Sequence, residues 1–212
     1  MTRGVHPLAS VLALFARVAS GVQVRWLDCE PGTRQRIYFA NHTSHLDAVV
    51  LWAALPDEAR ALARPVAAQD YWEKTRMRRF LSERVFQAIL INRNPQGSDR
   101  TLAAATGVID KMVEGMGDRH SLIVFPEGTR GSGEELAVFK SGLYHLALRR
   151  PDVELVPAYM ENLNRILPKG EVLMVPVLSS VTFGPPLRLE PGEHKRAFLE
   201  RAREAVRRLR PQ

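Results

Sequence analysis

Cysteine is nearly absent: Cys29 is the only one among 212 residues. An intrachain disulfide is therefore excluded, and the usage is compatible with a reducing compartment. No cysteine–histidine cluster has zinc spacing, so no metal site is expected. No apolar run reaches the ~18 residues that a membrane-spanning helix needs. Internal repeats, low-complexity tracts and long linkers are missing. Gly131-Ser132-Gly133 resembles a phosphate-cradling turn, but the Gly-Lys-Ser/Thr of a P-loop is absent. No recognised nucleic-acid motif is present either.

What is there suits one folded domain with a substantial core. The chain is 45% hydrophobic and 25% charged, which excludes disorder except at the ends. Lys plus Arg total 30 against 23 Asp plus Glu, a formal charge of +7. A basic balance suits an anionic partner, whether phospholipid surface, acidic substrate or nucleic acid, without choosing among them.

Acidic residues are missing before Asp28, and Arg17 is the only formally charged residue between Gly4 and Val24. Leu8, Val11, Leu12, Phe15, Val18 and Val22 recur at helical spacing. A signal peptide would use Arg3, the stretch Leu8 to Ala16, and Val18-Ala19-Ser20 as a cleavage site. An amphipathic helix, lying on a membrane or packed on the domain, fits the interrupted pattern better. Residues 1–30 are accordingly set apart as an N-terminal amphipathic segment, and 31–212 as the remaining domain.

Along that domain, apolar runs alternate with helical patterns. Strands are expected at Arg36 to Asn41, Arg64 to Gln69, Phe86 to Asn92, Ser121 to Phe125, Val153 to Tyr159, Leu173 to Val177 and Ser180 to Phe183. Helices are expected at Ala48 to Leu55, Lys74 to Val85, Asp99 to Met116 with Gly117 ending it, Ser141 to Arg149 and Glu193 to Leu209. This alternation predicts a single α/β domain with a largely parallel central sheet flanked by helices. His42, Arg93 and Glu127 each follow the end of an expected strand, where ligand sites of open α/β sheets gather.

His42 and Asp47 carry the sharpest chemical signal. A histidine can take the proton of an attacking alcohol, and a carboxylate can hold the imidazole in the required tautomer. The competing reading is a helix cap: Ser44 followed by Asp47 resembles a capping box. The two are compatible, since a helix start would fix Asp47 beside His42. His45 is a weaker base candidate, only two positions from Asp47. Glu127-Gly128-Thr129-Arg130 forms a turn whose glycine lets backbone approach a ligand and whose guanidinium can fork onto phosphate oxygens. Arg93 and Lys140 are further candidate anion contacts. Read singly, each of these cations is more readily a solvated surface charge.

Together the segments resemble the glycerolipid acyltransferase family, the 1-acylglycerol-3-phosphate acyltransferases and related lysophospholipid acyltransferases. Asn41-His42-Thr43-Ser44-His45-Leu46-Asp47 matches its N-H-x-S-x-x-D block. ILINR, ending at Arg93, matches the second block, and Phe125-Pro126-Glu127-Gly128-Thr129-Arg130 the third. Phe139-Lys140-Ser141-Gly142 fits the segment after it, and Val156-Pro157 resembles the fourth. The resemblance implies His42 as base, Asp47 as its partner, Arg93 and Arg130 on the acceptor's phosphate, Glu127 with Gly128 as a positioning turn, and Pro157 near the acyl chain. It also implies an acyl-CoA or acyl-carrier-protein donor, no cofactor, a lysophospholipid acceptor, and a peripheral place on the cytoplasmic side of a membrane. His45 departs from the family, where an aromatic is common. The rival is a non-catalytic basic protein binding membrane or nucleic acid, motivated by Lys74 to Arg84 and the arginines of the C-terminal helix.

Overall fold

The computed structural model describes residues 7–92, 102–131, 133, 135–163 and 178–211. Helix α1 (Pro7–Ser20) precedes strands β1 (Gln23–Trp26) and β2 (Arg36–Ala40). Helices α2 (Asp47–Ala54) and α3 (Asp57–Leu62) lead to β3 (Ala63–Ala68), α4 (Gln69–Trp72) and α5 (Arg76–Phe80). A π-helical turn (Leu81–Val85) runs into β4 (Ile89–Ile91). Then come α6 (Leu102–Met116), β5 (Ser121–Val124), α7 (Gly142–Arg149), β6 (Glu154–Glu161), β7 (Ser180–Phe183) and α8 (Lys195–Arg208). The expected strand Leu173–Val177, the start of the helix expected from Asp99, and Arg93 lie outside the described residues.

The described strands form one sheet in the order β1-β7-β6-β2-β5-β3-β4. From β6 to β4 every neighbouring pair is parallel. β7 runs antiparallel to β6, and β1 pairs parallel with β7. The largely parallel expectation therefore holds, with a reversed pair at one edge. Every residue of β2, β5 and β7 is buried. Helices on both faces explain why such strands read as continuous apolar runs instead of alternating ones.

The core has a layer on each face. Trp52, Tyr38, Ile123, Val156 and Phe183 fill the face beneath α1 and α2. Ile37, Phe39, Leu122, Met116 and Phe198 fill the face beneath α6, α7 and α8. Each such side chain contributes roughly 1.5–3 kcal/mol by leaving water.

The N-terminal segment differs from its expected stripe. α1 turns Ala9, Ala13, Ala16 and Ser20 inward against the core. Val11, Leu14, Phe15 and Val18 face outward, 63%, 64%, 63% and 74% exposed. Small inward residues let α1 lie close to α2, and Leu12 is only partly buried. Arg17 ties the two helices: its Nε donates to the Ala53 carbonyl at 2.6 Å and its Nη2 to that of Leu55 at 2.9 Å. Those carbonyls end α2, where a cation is favoured. β1 then joins the sheet, so residues set apart by sequence are stitched into the domain at both points.

Elsewhere the sequence pattern missed β1, α3 and α4. The expected Lys74–Val85 helix is broken into α5 and the π-helical turn. The expected strand Phe86–Asn92 shrinks to β4 because Phe86 turns into the core against Trp52 and Trp72, ring centroids 5.0 and 5.7 Å away. Gly117 does end α6, at φ +49°.

Candidate active site

β2 and β5 are hydrogen-bonded neighbours, so the loops leaving their carboxyl ends meet. The first loop carries His42. Its anchor is Asn41, buried, whose amide donates to the Met160 carbonyl at 2.8 Å and accepts from the Met160 N–H at 2.7 Å. That side chain pins the end of β2 to β6. His42 follows on the opposite side of the chain, where its ring stacks on Phe125 with centroids 4.4 Å apart.

Asp47 opens α2 and is fully buried. Its Oδ2 lies 2.8 Å from His42 Nδ1 and accepts from the backbone N–H groups of Thr43 and Ser44 at 2.5 and 2.8 Å. A carboxylate only accepts, so Nδ1 carries the hydrogen and Nε2 presents its lone pair. Nε2 has no partner among the described residues. Half of the expected capping box is present: Asp47 reaches back to the Ser44 N–H, but Ser44 Oγ accepts from Leu46 instead. One oxygen thus serves the loop and the imidazole together. Asp47 Oδ1 is buried with no hydrogen-bond partner.

The second loop carries Glu127, buried at 4% exposure. Its Oε1 accepts from the His42 N–H at 2.7 Å and its Oε2 from the Ala137 N–H at 3.0 Å. The carboxylate is therefore a brace for the histidine loop. Burial pushes its carboxyl above the usual range, against the opposing pull of those two N–H donors and His42. The Gly131 N–H donates to the His42 carbonyl at 2.8 Å, fastening the loops again.

Gly128 takes φ +71°, and a side chain there would meet Lys140, whose Nζ would stand 2.5 Å from the added carbon. Lys140 thus lies across the turn. Thr129 and Arg130 are exposed beside it. His45 does not touch Asp47; it stacks on Tyr71 at 5.1 Å, and Arg78 sits over the same ring at 4.3 Å. Burial, then the charges of Arg130, His42 and Arg78, hold the His45 pKa below its ordinary value.

The structure thus brings together His42, Asp47, Glu127, Gly128, Thr129, Arg130 and Lys140. Pro157 stands apart: it is buried inside β6 opposite Phe39, and its carbonyl accepts from the Gly184 N–H at 2.9 Å. Sequence reasoning gave no role to Asn41 and Phe125, though both stand in the quoted blocks, and passed over Tyr71. The bonds of Asn41 to Met160 and the ring stacks of Phe125 and Tyr71 are brought in by tertiary packing. A cleft of about 740 Å³ opens between these loops and α8, lined by Asn41, Thr43, Glu127, Tyr159 and Arg203, but the His42 ring is not in its wall.

Comparison with known proteins identifies a family for the chain. A model of the Acyltransferase family matches residues 22–161. The chain is 29% identical over 178 residues to the 1-acyl-sn-glycerol-3-phosphate acyltransferase of Limnanthes douglasii, covering 80% of this chain and 56% of the relative. It is 29% identical over 179 residues to the protein of the same name from Escherichia coli (strain K12), covering 77% of this chain and 65% of that one. The chain therefore spans between about half and two thirds of these relatives. Its fold matches the crystal structure of the 1-acyl-sn-glycerophosphate (LPA) acyltransferase PlsC from Thermotoga maritima, with a TM-score of 0.70 at 20% identity over 95% of this chain and 77% of that one.

Proposed function

The chain belongs to the acyltransferase family, and from that membership we propose that it moves a fatty acyl group from an acyl thioester to a hydroxyl of a lysophospholipid, 1-acylglycerol 3-phosphate first among them, giving phosphatidate. The observation that carries the reading is the His42–Asp47 pair at 2.8 Å with Nε2 left open. In the reaction, Nε2 takes the proton of the acceptor hydroxyl as its oxygen attacks the thioester carbonyl. The new C–O bond forms, the C–S bond breaks, and the imidazolium returns the proton to the departing thiolate. Asp47 fixes the tautomer and stabilises the imidazolium. Arg130, with Lys140 beside it, receives the acceptor's phosphate; a guanidinium can make two parallel hydrogen bonds to such an anion. Glu127 holds the His42 loop in place. Acyl-CoA and acyl-carrier protein are the two candidate donors.

A peripheral position on a membrane belongs to the same proposal. Among the described residues no helix is long and apolar enough to cross a bilayer. The outward Val11, Leu14, Phe15 and Val18 give α1 the form of an interfacial helix. The nucleic-acid rival loses its support at α8, where Arg201 pairs with Glu193 at 2.6 Å, and Arg207 and Arg208 pair with Glu204 at 2.6 and 3.0 Å.

The test is a panel of lysophosphatidate, glycerol 3-phosphate and lyso-aminolipid acceptors, each with acyl-CoA and acyl-carrier protein, read by mass spectrometry of the products. Phosphatidate formation that falls about 10²–10⁴-fold in a folded His42→Ala protein is expected. Near-normal turnover in that variant, or a salt-dependent DNA shift with no acyl transfer by the parent, overturns the reading.

A further inference from the structure

The positive charge of this chain is unevenly answered. On α8 Arg201, Arg203, Arg207 and Arg208 sit against carboxylates of the same helix or its approach. On α5 and its flanks they do not. Lys74, Arg76, Arg79 and Arg84 have no ion pair among the described residues, and Glu83 is the only acid between Lys74 and Val85.

Large apolar side chains stand among those cations. Met77 is 69% exposed and Phe80 45% exposed. Their exposure is built in. Thr75 caps α5 by accepting from the Arg78 N–H at 3.2 Å. Immediately after the helix the chain is fastened down: Ser82, Val85 and Phe86 are buried, the last two in the same core layer as Trp52. The five-residue α5 is thus held at both ends with Met77 and Phe80 turned out. Exposed apolar groups rimmed by charge mark interaction sites, and bulky apolar groups beside Lys and Arg are the composition of interfacial helices.

α5 also touches the active-site loop. Arg78 lies over Tyr71, and Tyr71 stacks on His45, three residues beyond His42. α5 is thus linked through Tyr71 to the loop that carries His42.

We propose that α5 is a second membrane-docking surface, distinct from α1, in which Met77 and Phe80 enter the headgroup boundary of an anionic phospholipid bilayer while Lys74, Arg76, Arg79 and Arg84 face its charged surface. This rests on the reading of the acceptor as a membrane lipid. Charge and apolar surface select the occupant together: an anionic bilayer offers a negative plane and an apolar layer just beneath it, and attraction is about 1 kcal/mol for each basic residue at such a surface.

The experiment uses the full chain and vesicles of phosphatidylcholine alone or with phosphatidylglycerol. Arg76→Gln/Arg79→Gln is expected to lose about five-fold per residue, on the order of 25-fold together, in affinity for anionic vesicles at low salt. Its binding to neutral vesicles stays at the parental level. Met77→Ser/Phe80→Ser is expected to weaken binding to both, and the fluorescence of Phe80→Trp to shift to the blue on vesicles. Transfer to a short-chain, water-soluble lysophosphatidate stays at the parental rate in the charge and serine variants. Parental vesicle affinity in both double variants, or no blue shift, overturns the docking surface and leaves the enzyme reading intact. Reduced vesicle affinity in the double variants of a parent that transfers no acyl group overturns the enzyme reading and leaves the surface standing. Unchanged vesicle affinity with a raised KM for acyl-carrier protein reassigns the patch to an acidic protein partner and ends the proposal.

Discussion

A single oxygen, Asp47 Oδ2, holds the histidine and two backbone N–H groups. Asp47→Asn keeps an acceptor there but loses the charge that fixes the tautomer. Turnover should fall on the order of 10²–10⁴-fold. Because charge-assisted hydrogen bonds are worth about 1.5–3 kcal/mol each, the melting temperature should fall as well; a stability loss with normal kcat would reduce Asp47 to a cap. Arg130→Lys keeps the charge and removes the fork, so the acceptor's KM should rise far more than the donor's; equal rises would move the phosphate elsewhere. His45 offers a pH test. Its folded pKa is lowered by burial and by Arg130, His42 and Arg78, so the unfolded chain binds the proton first as pH falls. Its stabilising contribution is whole above about pH 6.5 and is lost as pH drops through the folded value. Melting curves at pH 7 and pH 5 should show a smaller acid loss in His45→Phe than in the parent; equal losses would exclude it. The closeness of His42, Asp47 and the Glu127–Arg130 turn was legible because each lies in a short motif at a strand end. The stacks of His42 on Phe125 and His45 on Tyr71 were not, since they join segments whose approach only the packed sheet decides.

At the scale of elements, α1 shows what helical spacing leaves open. Spacing marked an apolar stripe of large residues without saying whether it meets a membrane or the core; in the fold the alanines face the core, because small side chains allow two helices to lie close, and the large residues face outward. Ala13, 2% exposed, is the decisive position. Ala13→Leu should cost about 1–3 kcal/mol by overpacking, whereas Val18→Ser, at 74% exposure, should stay within about 0.5 kcal/mol. Thermal melts decide, and the reverse ranking would put the stripe of large residues against the core. β1 escaped sequence reasoning for a related reason: its four residues QVRW carry no strict apolar run, and their pairing with β7 comes from a distant part of the chain. The reversed direction of β7 has no local signature either, because SVTF reads the same whichever way it runs.

For the molecule as a whole, α1 has two faces: one is alanine and packs on the core, and the other is bulky and outward, the face on which a membrane role would rest. Removing residues 1–25 would therefore strip a core layer and most of β1, and would not isolate membrane binding. Val11→Ser/Phe15→Ser/Val18→Ser leaves the inward face untouched. It should lower vesicle affinity at parental melting temperature, with transfer to vesicle-borne acceptor falling more than transfer to detergent-dispersed acceptor. Parental vesicle affinity in this variant would end the interfacial role of α1. The alternation of the central strands and their helices was readable because parallel strands buried on both faces need continuous apolar runs.

The grip of Arg17 on the last carbonyls of α2 has a mechanical meaning. An eight-residue helix is a stiff rod about 12 Å long. α1 clasps one end of that rod, and Asp47 is the other end. Between the outer helix and the carboxylate bonded to the imidazole there is thus no loop, only two hydrogen bonds and a short rigid helix. The first helix is thereby a handle, and Arg17 is the pin through it.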